Sequence, residues 1–200
     1  MFSFRRPAEA AIRQSIENAR GLPLNYGFAF KTEGHSDLPV VPHGYERDHT
    51  RSEIGQGALA FEAAREAFRQ WKQFDLGWVR VANAEARIEV EEMVAVEAHT
   101  PSFSGLGLWS VNCSRILYVI DEIDRFGFGY GTTAQHVERG EERFLLEFYP
   151  VSGVVAYDLL AISQPAHWLA KLGYPYTRSR QKKFARDSHA RMRQNAQSLA

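Results

Sequence analysis

Residues 106–148 read LGLWSVNCSRILYVIDEIDRFGFGYGTTAQHVERGEERFLLEF, and this stretch decides the fold. It contains three runs rich in aromatic and β-branched residues, separated by short breaks at 121–124 and 139–140. Such runs favour strands, and charged or glycine-containing breaks favour turns. The stretch therefore predicts an antiparallel meander with one apolar face, and we expect flanking helices to cover that face.

The composition is that of an ordinary globular chain. Its 200 residues are 44% hydrophobic and carry no net charge, which predicts one domain with a sizeable core. Cys113 is the only cysteine, so no internal disulfide can form. The N-terminus lacks an apolar stretch of signal-peptide length, and no apolar run approaches the roughly 20 residues of a membrane span. These features predict a cytoplasmic protein without a transmembrane segment.

The predicted elements divide residues 1–200 into three parts of a single domain. Residues 1–44 form an N-terminal helix and an irregular arm, 45–165 a strand, a helix and an antiparallel sheet, and 166–200 a basic C-terminal helix. Many strands with few helices indicate the α+β class. We expect a helix-grip-like arrangement, in which a curved antiparallel sheet of about six to seven strands packs against the long C-terminal helix. The N-terminal helix is additional to it.

Segments along nearly the whole chain carry a family resemblance. They are GYERDHTRSEIGQG (44–57), FDLGWVRV (74–81), GLWSVNCSRILYVIDE (107–122), RFGFGYGTTAQHVERGEERFLLEF (125–148), YDLLAISQPAHWLAKLGYP (157–175) and KKFARDSHARM (182–192). They resemble uncharacterised protein family 0548, a domain-of-unknown-function family, and the element order is similar to the START-like, or SRPBCC, helix-grip proteins. The resemblance implies a cavity for a small apolar molecule between sheet and terminal helix, and it carries no catalytic residue.

Period-two alternation predicts which strand residues line the concave face. The inward set is Phe126, Phe128, Tyr130, Phe144, Leu146, Phe148 and Tyr157. Such a wall is either plain core or the lining of a ligand site, and both interpretations stay open. Glycines 127, 129 and 131 fall on the opposite, solvent side, where they indicate strand curvature or the close approach of another segment. No helix follows them, which argues against a phosphate loop.

Arg115 is a further ligand-site candidate. It lies on the strand 109–119, whose odd positions are mostly apolar. If that face is concave, Arg115 points into the fold, where a charge needs a partner or water, and Glu97 and His99 could supply the partner. The alternative is a structural ion pair or a bulge that turns Arg115 outward. A cofactor-free enzyme using Arg115, Tyr130, Glu97 and His99 is a second hypothesis.

No cofactor or metal is expected. His136 and Glu138 lie two apart, but zinc needs three or four ligands, and residues 139–140 between acidic neighbours predict a charged hairpin turn.

The C-terminal segment 166–200 holds eight basic residues and one acidic residue. It either docks on the acidic body, which we favour, or acts as a nucleic-acid or anionic-membrane adaptor, with nucleic acid unlikely. The function predicted overall is binding of a small apolar or amphipathic ligand.

Overall fold

The computed structural model describes residues 1–34, 40–100, 107–134, 136–165 and 174–197. Three helices are present in these ranges, α1 (Glu9–Arg20), α2 (Gly57–Arg69) and α3 (Tyr174–Gln197), together with a 3-10 turn at Lys72–Phe74. The strands are β1 (Phe2–Ser3), β2 (Glu46–Gln56), β3 (Val79–Val81), β4 (Met93–Thr100), β5 (Leu108–Asp121), β6 (Arg125–Thr132), β7 (Glu138–Phe148) and β8 (Val154–Pro165). Residues 166–173, where the predicted C-terminal segment begins, lie outside the described residues.

One antiparallel sheet contains all the strands, in the order β2-β8-β7-β6-β5-β4-β3, and β1 pairs with the start of β5. The first and last long strands are therefore neighbours, although more than 90 residues separate them. The strands from β4 to β8 follow one another as hairpins, as the sequence of 106–148 indicated. The α+β class and the helix-grip arrangement are confirmed.

The hairpin turn predicted at 139–140 was wrong. Gly140 lies inside β7 opposite Ser163, and the chain turns before β7 begins. A Cβ atom on Gly140 would collide with the carbonyl of Ile162, and its φ of 142° also favours glycine. Here glycine therefore marks a close strand-to-strand approach and not a turn.

The concave face of the sheet is covered by α2 and α3. Apolar residues of α2 recur at helical spacing, and Ala60, Phe61, Ala64 and Phe68 are buried there. From α3, one ridge of residues enters the same side: Phe184 packs on the core, and Ser188 and Met192 are fully buried. Among the described residues, no helix has both the length and the apolarity needed to cross a membrane.

The convex face is covered as well, which corrects one prediction. Helix α1 packs Ile12, Ile16 and Ala19 on the outer side of β4 and β5. Every residue of β6 is buried, so the glycine side of this strand does not face solvent. The predicted close approach is confirmed, because a Cβ on Gly129 would meet the Tyr118 ring and one on Gly131 would meet the Tyr26 hydroxyl. The irregular arm thus supplies an additional layer.

Candidate ligand-binding site

The concave interior has an aromatic end that is filled. The orientation predicted for Phe126, Phe128, Phe144, Leu146 and Tyr157 is confirmed, and each is at most 3% exposed. Rings from α2 and the 3-10 turn occupy the space in front of them: Phe68 lies 5.5 Å from Tyr157 and Trp71 lies 5.3 Å from Phe128, centroid to centroid. Phe148 stacks on Phe61 at 5.7 Å. This end is a close-packed core.

The other end of the concave face is polar and keeps accessible surface. Strand register places Tyr130, Glu142, Ala161 and Asp48 in one row across β6, β7, β8 and β2. On β4 and β5, the inward residues Val96, Ala98, Ser110 and Asn112 are all partly exposed. We call this part of the concave face, from Val96 and Asn112 to Tyr130, Glu142 and Glu138, the recess. Phe184 of α3 packs against the aromatic end, with its ring centroid 5.4 Å from that of Phe74.

Tyr130 and Glu142 form the central pair of the recess. The Tyr130 hydroxyl donates to Oε2 of Glu142 at 2.8 Å. Within the described chain, this is the only hydrogen bond of the Glu142 carboxyl, and no basic side chain forms an ion pair with it. Burial raises the pKa of Glu142 to about 7, because desolvation disfavours the charged form. Glu142 therefore changes its charge near neutral pH.

Glu138 is a second carboxyl of the recess, and it contacts α3. Gln181 Nε2 donates to its Oε1 at 2.9 Å. Burial raises the pKa of Glu138 to about 7, against the opposing effect of the Gln181 hydrogen bond. One turn earlier, Arg178 Nη2 donates to Asp48 Oδ1 at 2.6 Å. These two contacts hold the start of α3 over the recess, and the predicted docking of the basic helix on acidic groups is seen here.

Two further polar groups, one just before β7 and one on β5, are uncharged. Nδ1 of His136 accepts a hydrogen bond from the Glu138 backbone amide at 3.0 Å, which leaves the proton of the neutral ring on Nε2. Burial lowers the pKa of His136 to about 4, so the ring is uncharged at neutral pH. Asn112 Oδ1 is buried and has no hydrogen-bond partner among the described residues. The recess thus offers both donors and acceptors to a polar group.

Arg115 lies on the opposite face of the sheet, so the predicted concave orientation was wrong. Its guanidinium donates to the carbonyls of Arg20 (2.8 Å) and Leu22 (2.7 Å), at the C-terminal end of α1. A bulge between Ile116 and Tyr118 is the physical reason, because the inward positions of β5 are even before it and odd after it. The outward-turning alternative is therefore the one observed.

The other residues of the enzyme hypothesis also face outward, apart from Tyr130. Glu97 is buried between Arg6 (3.1 Å) and Arg80. Burial alone would raise the pKa of Glu97, but the hydrogen bonds from these guanidinium groups lower it. His99 stacks on Trp109 at 4.4 Å. These contacts assign Glu97 and His99 to the attachment of the N-terminal segment and remove them from the recess.

The sequence interpretation did not select Glu138, Glu142, Gln181 or Asn112. A signal for Glu142 existed, since it shares even parity with the inward Phe144 and Leu146 on β7. For Gln181 the helical spacing to Phe184 and Ser188 placed it on the inner side of α3. Nothing in the local sequence indicates that Glu142 has no basic partner among the described residues, because that depends on how α3 crosses the sheet.

The arrangement of sheet and helices is found in other proteins. The di-domain ARO/CYC BexL from the BE-7585A biosynthetic pathway superposes with a TM-score of 0.50 at 12% sequence identity. The match covers 80% of this chain and 52% of that one, so the chain spans about half of the di-domain protein. At this identity the likeness concerns the fold alone.

Sequence relatives extend over nearly the whole chain. A UPF0548 protein of Dictyostelium discoideum is 34% identical over 204 residues, which cover 94% of this chain and 92% of the relative. A UPF0548 protein of Deinococcus radiodurans is 32% identical over 198 residues, covering 96% of each chain. Residues 26–191 match the family model described as a domain of unknown function, DUF1990. The resemblance indicated by the sequence segments is thereby confirmed, and the chain belongs to the UPF0548 (DUF1990) family.

Proposed function

We propose that this protein binds a small amphipathic molecule in the recess beneath α3. The observation that carries the proposal is the Glu142 carboxyl, which faces the concave side with the Tyr130 hydroxyl as its single described hydrogen-bond partner. A desolvated carboxyl without a basic partner costs several kcal/mol when it is charged. A ligand that supplies a hydrogen-bond donor or a positive charge would remove that cost.

The surroundings of Glu142 favour a ligand with both a polar and an apolar part. Asn112 Oδ1 offers a second acceptor, and the partly exposed Val96 and Ala98 offer apolar surface on the neighbouring strand. Ligand sites are commonly apolar clefts with a few polar groups that orient the molecule. We therefore propose a ligand with a hydroxyl or amino group at Glu142 and a hydrocarbon portion along β4 and Phe184.

The test is a search for a retained small molecule. The purified protein is incubated with a metabolite extract, separated from unbound compounds, denatured and examined by mass spectrometry. We expect one or a few unmodified species with the wild type and with Glu85→Gln, which removes an exposed carboxyl outside the recess. Glu142→Gln should lose them while remaining folded. Equal retention by Glu142→Gln, or no retained species at all, would rule out this site.

A second candidate function is cofactor-free acid–base catalysis in the same recess. Its support is the pKa of Glu142, which burial raises to about 7, since a catalytic acid or base works best near the operating pH. Tyr130 would hold the carboxyl in position. The metabolite incubation separates the two functions: a compound that is consumed and replaced by a product favours catalysis, whereas a compound retained unchanged favours binding.

A further inference from the structure

The outward side of α3 carries a dense group of cations. Residues 178–186 read RSRQKKFAR and contain five basic residues and no acidic one. Arg178, Ser179, Lys182, Lys183 and Arg186 line a groove of about 450 Å³. The inward residues Gln181, Phe184 and Ser188 lie on the opposite side of the helix. We call this feature the basic groove; it lies beside the recess, and Arg178 borders both through its contact with Asp48.

The acidic groups near the basic groove do not balance its cations. Lys183 and Arg186 share one carboxylate, that of Asp187. Arg178 is directed toward Asp48 and Glu46 of β2. Lys182 is exposed, and within the described chain it forms no hydrogen bond or ion pair. An incoming anion would therefore meet positive charge that the described residues do not fully neutralise.

The helix that carries these cations is fixed to the edge of the sheet. Trp78, just before β3, donates from Nε1 to Asp187 Oδ2 at 2.9 Å. The Arg180 guanidinium lies 3.8 Å from the centroid of the Trp78 ring and donates to the His99 carbonyl at 2.9 Å. Because the helix is already held in place, ligand binding does not have to order it.

We propose that the basic groove binds a multiply charged oxyanion of the phosphate type, carried by a soluble phosphate ester or by a lipid headgroup. Residues four apart on a helix lie about 5–6 Å from each other, so Lys182 and Arg186 present neighbouring donors to one such group. Arginine and lysine form strong, charge-assisted hydrogen bonds with phosphate oxygens. The Ser179 hydroxyl adds a neutral donor on the same side.

The experiment uses inorganic pyrophosphate as the soluble probe and phosphatidylcholine vesicles with or without phosphatidic acid as the lipid probe. Calorimetry measures pyrophosphate binding, and cosedimentation measures vesicle binding. The groove variant is Lys182→Gln/Arg186→Gln. The control is Arg13→Gln/Arg87→Gln, which removes the same charge from two exposed residues remote from α3.

We expect at least one probe to bind the wild type and the control equally, and the groove variant about tenfold more weakly or worse. Binding of pyrophosphate identifies a soluble ester as the source, and binding of acidic vesicles alone identifies a lipid headgroup. The proposal fails if neither probe binds. It also fails if both variants weaken binding equally, since that would reflect net charge, or if a single-stranded oligonucleotide binds while both phosphate probes do not.

Discussion

Strand β7 carries the buried Arg143 on its outward face and the partly buried Glu142 on its inward face, and these two groups differ in whether they have a charged partner. Outward-facing Arg143 is 7% exposed and donates to Asp158 Oδ1 at 2.9 Å and to the carbonyls of Thr32 and Gly34. Asp158 Oδ2 lies 2.7 Å from His49 Nε2. On the inward face, Glu142 has a tyrosine hydroxyl and no cation among the described residues.

The pKa directions reflect this difference. Burial alone would raise the pKa of Asp158, but hydrogen bonds from His49 and Arg143 outweigh it and lower the pKa. For Glu142, burial dominates and the pKa rises to about 7. A buried charge that has an oppositely charged partner serves the attachment of the arm, whereas a carboxyl without a cationic partner indicates a site for something else. The presence of an oppositely charged partner therefore distinguishes the two roles better than the degree of burial does.

The largest loss of stability should come from removing the ion pair on the outward face of β7. Asp158→Leu leaves the buried Arg143 guanidinium without a carboxylate, which should lower the free energy of unfolding by about 3–5 kcal/mol. Denaturant unfolding measures the change. Adding Arg143→Met should recover part of the loss, because it removes the unpaired charge. A loss below about 1 kcal/mol would show that the network stabilises nothing beyond an exposed ion pair.

The same network should make wild-type stability depend on pH at the acidic end. The folded-state pKa of Asp158 is lowered, so its contribution is present above the unfolded value of 3.8 and is lost as pH falls through the folded value. In Asp158→Leu this component of acid denaturation should be absent.

A smaller effect should come from separating the arm from the sheet. In Gly129→Ala the new methyl group would collide with the Tyr118 ring, whose hydroxyl lies 2.8 Å from Thr32 Oγ1. We expect a loss of about 1–3 kcal/mol in unfolding free energy, as for overpacked cores. Gly27→Ala is the matched control, since nothing lies within 4 Å of its added Cβ. Equal stabilities for the two variants would contradict the close approach.

On the inward face of β7, removing the charge of Glu142 should raise the stability of the protein above neutral pH, whereas removing Asp158 lowers it. Because the folded pKa of Glu142 is raised from 4.5 to about 7, its stabilising contribution is complete below pH 4.5 and is lost as pH rises through about 7. Glu142→Gln should therefore be more stable than wild type at pH 8 by about 1–2 kcal/mol, discounted for the accessible surface that Glu142 keeps. At pH 4 the two should be nearly equal.

Thermal unfolding across this pH range measures the difference, and Glu85→Gln should follow the wild type throughout. A Glu142→Gln variant that is less stable at every pH would mean that the carboxylate has a favourable partner in the protein. Glu142 would then be a structural group like Asp158, and the case for a ligand at this position would be lost.

The sequence predicted most of the fold because alternation on a strand is strictly local. The parity of Phe126, Phe128 and Tyr130 on β6 and of Phe144 and Leu146 on β7 placed all five on the concave face. The same logic failed on β5, where the bulge between Ile116 and Tyr118 shifts the parity without a glycine or proline to mark it.

The candidate site was harder to predict because its character comes from contacts between distant segments. The arm is irregular, and it is held by contacts such as the hydrogen bond from the Thr32 amide to Glu141 Oε1 at 2.7 Å, across 109 residues. Without that layer, the outward face of β6 looks like a solvent face. In the described part of the chain no cation lies beside Glu142, and this likewise depends on which residues of α3 point inward over β7. Alternation along β7 alone cannot supply that information.

The smallest effect concerns Arg115 and tests whether the two faces act independently. Arg115→Met removes two hydrogen bonds to carbonyls at the C-terminal end of α1 and a long contact of 3.7 Å to the exposed Glu91. Because Glu91 is solvated, no buried charge is left alone, and we expect a loss of about 1 kcal/mol in unfolding free energy. Retention of small molecules should equal that of the wild type, since Arg115 lies across the sheet from the recess. If instead Arg115→Met lost the retained species as Glu142→Gln is expected to do, while staying folded, the faces would be coupled and the assignment of the ligand to the concave side would need revision.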